Sequence, residues 1–218
     1  MKSTILVQKP SEVLNRLATL GLTAENLMEV VDAMVGAKNS CTDNDAPGAP
    51  GLLAWLAGTR RMREVFLPQG WERNDDRLIS SIYSPERGIK VVVCNTDAGT
   101  GVETSTPQNN SKKGAATEQA VSINQGTFKG ILDAALNVIQ LSDDAGGLVY
   151  WYLCVYSVGD VVRAELSCPS RCENGFFKEF RERVILRGSD GDEGGIRVRR
   201  TSPQGSPDFE VNVTRKQA

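Results

Sequence analysis

The sequence predicts an α+β protein: a helical amino-terminal part followed by antiparallel β-hairpins packed on one or two helices. Three observations carry this. Apolar residues recur at helical spacing as far as Phe66, strand-type runs begin at Leu78, and clusters of Gly, Pro, Asn and Asp separate the runs. The 40% hydrophobic and 24% charged fractions are those of a folded, soluble chain.

The first helix carries Val13, Leu14, Leu17 and Leu20, with Ser11 after Pro10 as its cap and Gly21 as its end. Thr23 caps a second helix with Leu27, Val30, Val31 and Met34 on one stripe. Residues 41–49 hold Thr, Asp, Asn, Pro and Gly and form a loop. Pro50 suits the first turn of a third helix, where its missing N–H costs nothing. That helix carries Leu52, Trp55, Leu56, Met62 and Phe66 and stops before Pro68.

From here the period changes. Residues 78–83 and 89–95 read as strands joined by the turn Ser84-Pro85-Glu86-Arg87-Gly88. Residues 96–118 are polar, with almost no apolar side chains, and read as a long functional or disordered loop. Phe128, Ile131, Leu132, Ala135, Val138 and Ile139 share the stripe of a fourth helix capped by Thr127. The run 148–156 is apolar on both faces, which places it centrally in a sheet. Val158-Gly159-Asp160 turns it into a half-buried strand at 161–167. Residues 176–186 fit a helix or the start of a hairpin. Runs at 196–200 and 209–214 close the chain as strands. A boundary near residues 70–76 would divide the chain into a helical 1–70 and an α+β body at 71–218; a single domain fits the pattern as well.

Composition excludes more than it names. There is no histidine, which removes Ser-His-Asp and Cys-His nucleophiles, HExxH metal sites and any imidazole base. A formal charge of −2 and a pI near 5.4 argue against wholesale polyanion binding. Five cysteines at irregular spacing, with no signal-peptide or spanning stretch, indicate a reduced, cytoplasmic protein. Cys168 and Cys172 are the only close pair, and without a histidine they read as structural thiols.

Several segments invite chemistry. The helical hairpin at 11–37 has the outline of a helix-turn-helix, but Glu25, Glu29 and Asp32 would face the phosphates, so a packed hairpin is the better reading. Arg60, Arg61 and Arg63 project in different directions on a helix and make no single patch. Thr96-Asp97-Ala98-Gly99-Thr100-Gly101 lacks the Lys and following helix of a phosphate loop. Asp190, Asp192 and Glu193 lack the further oxygen ligands of a calcium loop and read as an acidic turn. Basic residues gather late in the chain, yet from Leu148 onward 11 basic side chains meet 10 acidic ones. Tyr150, Tyr152 and Tyr156 read as core.

The resulting expectation is a non-catalytic binding or assembly protein, with no cofactor and no membrane segment, acting through a surface as a subunit or inhibitor of a larger complex. Its candidate contact residues are Lys112, Lys113, Arg183, Arg187, Arg197, Arg199 and Arg200. One alternative is nucleic-acid binding by the carboxy-terminal arginines. Another is a carboxylate-metal hydrolase centred on Asp190, Asp192 and Glu193.

Overall fold

The computed structural model describes residues 4–135 and 148–188, and the side chains of all of these except 126–135. The expected strands at 196–200 and 209–214 and the acidic turn at 190–193 lie outside the described residues, as do the side chains of the stripe that begins at Phe128.

Chain order is β1 (Ile5–Val7), α1 (Pro10–Thr19), α2 (Ala24–Asn39), α3 (Ala49–Phe66), β2 (Glu72–Asn74), β3 (Ser81–Ser84), β4 (Ile89–Asn95), α4 (Ala115–Ala135), β5 (Val149–Val158), β6 (Val161–Glu173) and β7 (Phe176–Arg187). The seven strands form one sheet in the order β1-β7-β6-β5-β4-β3-β2, so the apolar β5 is central. The sheet is mixed, which corrects the expectation of purely antiparallel hairpins: β1 runs parallel to β7, and β4 parallel to β5. The physical reason is the connection between β4 and β5. It spans a long loop and all of α4, and only a crossover of that length can return a chain to a parallel neighbour.

Local chemistry explains the helix ends. Pro10 occupies the first turn of α1, so Lys9 takes the cap position expected for Ser11. Leu22 N–H bonds the Leu17 carbonyl and Gly21 N–H that of Ala18, a Schellman ending with Gly21 at φ +69°. A side chain at Gly21 would also meet the Arg87 guanidinium at 2.6 Å. Thr23 caps α2 as the sequence indicates, its hydroxyl accepting from Asn26 N–H at 3.2 Å.

One face of the sheet is covered by α1, α2 and α3. Val13, Leu17, Leu27, Val31, Met34 and Phe66 join Ile82, Val91, Val93, Trp151, Leu153 and Leu166 in one cluster. The opposite face carries Val92, Cys94, Tyr150, Tyr152, Cys154, Phe177 and Phe180 under Ala120 and Val121 of α4. This helix begins at Ala115, twelve residues before the expected cap at Thr127. Buried Asn124 fixes it: its amide donates to the carbonyls of Tyr150 (2.9 Å) and Pro169 (2.8 Å) and accepts from Tyr150 N–H (2.8 Å). The pairing of β6 with β7 shifts register around Pro169, which has no N–H to give.

The ambiguous stretch 176–186 is strand, and β6 extends to Glu173 to meet it. Asn174 (φ +53°) and Gly175 (φ +80°) form the two-residue turn between them, the Asn-Gly type I′ signal. Strand β3 starts only at Ser81; Leu78, expected inside it, stands in solvent at φ +62°.

Candidate functional site

Residues 96–114 are an ordered strap over the sheet, where the sequence left a functional loop and disorder both open for 96–118, and the stretch from Ala115 belongs to α4. The segment folds back on itself: Asp97 N–H bonds the Gln108 carbonyl and Asn110 N–H that of Asn95. Buried Asn109 donates to the carbonyls of Ser111 (2.7 Å) and Gly175 (2.8 Å) and accepts from Phe177 N–H (2.9 Å). Polar side chains thus do the work that apolar burial does elsewhere, which is why a hydropathy pattern misses the strap.

Arg183 anchors the middle of this segment. Its Nε and Nη2 donate to Glu165 at 2.9 and 2.6 Å, and its Nη1 to the Ser105 carbonyl at 2.6 Å. Glu165 in turn accepts from Gly101 N–H at 2.7 Å and from the Ser167 hydroxyl. Both members of the pair are buried. The expectation that Arg183 offers its charge to a partner is therefore corrected: its donors are consumed inside the fold.

The strap, α2, α3 and the carboxyl ends of β4 and β5 enclose a cavity of about 360 Å³. The crevice beyond the carboxyl ends of parallel strands is a usual place for ligands in α/β sheets, and this volume is within the range of ligand sites. Asn95 ties the first turn of α3 to the end of β4 by donating to the Gly51 carbonyl at 2.7 Å. The Lys38 ammonium donates to the Ser157 carbonyl. Lys113 lines the same cavity. Half-buried Trp55 and Tyr156 supply flat apolar walls, and no Asp or Glu lines the space.

Next to the mouth lies an apolar surface. The helix α3 buries Ala54, Gly58, Met62 and Phe66, and leaves Leu52, Leu53 and Leu56 exposed. This corrects the expectation that Leu52 and Leu56 face inward with Met62. Gly58 is the reason: a Cβ there would stand 2.5 Å from Met34 Cγ and 3.0 Å from Val93 Cγ1. At Gly58 the close approach of α3 to α2 and β4 admits only a small residue, and this turns the leucines of the first half of the helix outward. Val158 and Val161, paired across the β5–β6 turn, are also exposed, and Val158 lines the cavity with Leu52. Together the five side chains expose on the order of 400 Å² of apolar surface, the size at which such patches are commonly functional.

Of the four expected contact residues that are described, only Lys113 lines this cavity. Lys112 is exposed beside Gly175, and Arg187 is exposed at the end of β7. Arg197, Arg199 and Arg200 lie outside the described residues. Lys38 is the cavity residue that sequence reading missed, because nothing local marks it; only the fold places it on the same cavity as Lys113. Tyr150 and Tyr152 are core, as expected, whereas Tyr156, read as core with them, is half-buried on the cavity wall.

A second space of about 480 Å³ lies where β1 and β7 meet the strap, lined by Glu103, Lys178, Glu179 and the already paired Arg183. Its charges of both signs define no ligand class. Cys94 and Cys154 are register partners on β4 and β5, and burial pushes both thiols up from their ordinary pKa. Among the described residues no group of three Cys, Asp or Glu side chains is placed to hold a metal ion. No helix of the described residues is long and apolar enough to cross a membrane. Comparison of the chain with protein-family models, curated proteins and solved structures finds no match.

Proposed function

We propose that this chain is a non-catalytic binding protein that docks a protein partner on the exposed side of α3, as a subunit or inhibitor of a larger complex. The observation that supports this is the inverted burial of α3. In its first half leucines at 52, 53 and 56 stand in water while Ala54 and Gly58 are buried, and only further along does the buried side carry the large Met62 and Phe66. Each exposed leucine forgoes about 1.5–3 kcal/mol of burial. A partner that covers them recovers it. The polar rim of Lys38, Asn95 and Asn110 beside the leucines has the mixed character of an interface edge. Five free thiols fit a reducing compartment, and the proposed location is cytoplasmic.

The test compares native-lysate capture by the wild type and by the double variant Leu52→Gln/Leu56→Gln. The expected result is a stoichiometric partner retained by the wild type and lost by the variant, with the melting temperature unchanged. A wild type and variant that capture the same proteins, or a monomer with measurable turnover, would refute the reading.

A further inference from the structure

The cavity beside the docking face carries an unbalanced charge. Two lysines, Lys38 and Lys113, line it with no Asp or Glu beside them, and the Lys38 ammonium donates to a neutral acceptor, the Ser157 carbonyl. Among the described residues neither lysine has a carboxylate partner, whereas Lys90, the buried lysine of the same sheet, is paired with Asp76 at 3.1 Å. Each ammonium has three N–H donors, so a single neutral acceptor leaves capacity for an anion. In a cleft partly screened from water the attraction between ammonium and carboxylate is several times stronger than on an open surface. The rim, made by Leu52, Trp55 and Val158, is apolar. What fits both is an anionic group on an apolar stem.

We infer that the cavity receives a side-chain or terminal carboxylate of the docking partner, whose segment combines acidic and apolar residues. This rests on the reading of α3 as a docking face and adds the chemistry of what docks. The leucines take the apolar residues, and Lys38 and Lys113 take the carboxylate. A basic segment of equal hydrophobicity is rejected, because it would bring a third positive charge to two existing ones.

The charge of the cavity is testable without any partner. Trp55 lines it, while Trp71 and Trp151 are buried, so collisional quenching of tryptophan fluorescence reports on the cavity. Iodide is expected to quench several-fold better than caesium at low ionic strength, since a cleft lined by one sign of charge enriches the opposite ion about tenfold or more. The preference should fall in Lys38→Gln and Lys113→Gln and persist in Lys38→Arg. Equal quenching by the two ions, or a preference untouched by both Gln variants, overturns the inference. Fluorescein-labelled peptides then separate it from the docking reading. A peptide alternating Leu and Glu should bind at least about tenfold more tightly than one alternating Leu and Lys. If the two peptides bind equally and both are lost in Leu52→Gln/Leu56→Gln, the apolar face stands and the carboxylate site falls. If neither binds while lysate capture succeeds, the carboxylate site again falls alone.

Discussion

Replacing Glu165 by Gln removes one charge from the most enclosed ion pair of the fold and leaves its shape nearly intact. In the wild type the carboxylate receives Arg183 Nε and Nη2, Gly101 N–H and the Ser167 hydroxyl, and the pair is buried at 0% and 4% exposure. An amide can accept through only one of its two ends. Its NH₂ would face the donors of Arg183 or Gly101, and the guanidinium would remain buried with only carbonyls around it. Breaking a buried pair from one side costs about 3–5 kcal/mol. At roughly 2–4 °C per kcal/mol for a chain of this size, the melting temperature should drop by roughly 6–20 °C. Arg183→Met should cost a similar amount, because the carbonyls of Val102 and Ser105 then lose their donor along with Glu165. The double variant Glu165→Gln/Arg183→Met should cost clearly less than the two singles added together, since no uncompensated charge remains. Urea unfolding gives the three free energies. Trypsin cleavage at Lys112 and Lys113 under native conditions gives a second readout, because loosening the staple exposes the strap. A loss below about 1 kcal/mol for Glu165→Gln, or additive single effects, would show that the pair does not hold the strap.

Three further outcomes follow from other parts of the fold. Asn124→Leu leaves Tyr150 N–H and the Pro169 carbonyl unpaired under α4 and should cost about 2–4 kcal/mol in urea unfolding, whereas the solvent-facing Ser122→Ala should cost little. Hydrogen bonds from Arg63 and Arg73 hold the half-exposed Asp75 carboxyl well below the usual carboxylate range. Its folded pKa lies below the unfolded one, so its stabilisation is present above about pH 4 and is lost as the pH falls further. Asp75→Asn should therefore be less stable at pH 7, on the order of 0.5–1 kcal/mol after allowance for exposure, and should converge with the wild type in acid melts. A gap that does not shrink as the pH falls below about 4 would contradict this. Burial pushes the Cys168 thiol up to about 12 and raises Cys94 and Cys154 as well, while Cys41 and Cys172 are partly exposed. A thiol reagent should thus label two of the five cysteines in the folded protein and all five after unfolding; rapid native labelling of Cys94 would refute the burial.

The sequence by itself determined the elements whose causes are local. Thr23 and Gly21 fix the junction of α1 and α2 through a hydroxyl acceptor and a left-handed residue. The unbroken apolar run of β5 admits only a central strand. Asn174-Gly175 was a legible turn signal that, read for its positive φ values, would have settled 176–186 as strand. Tertiary structure decided the rest, because the deciding partners are far apart in the chain. The strap at 96–114 is ordered by Glu165, Arg183 and Gly175, all more than sixty residues away. Which side of α3 is buried depends on the space Met34 and Val93 leave at Gly58, and side-chain size, not hydropathy, decides that contest. Lys38 and Lys113 come to line one cavity because β4 and β5 end side by side beneath α2. Charge placement of that kind is a property of the sheet's topology, and no periodicity along the chain encodes it.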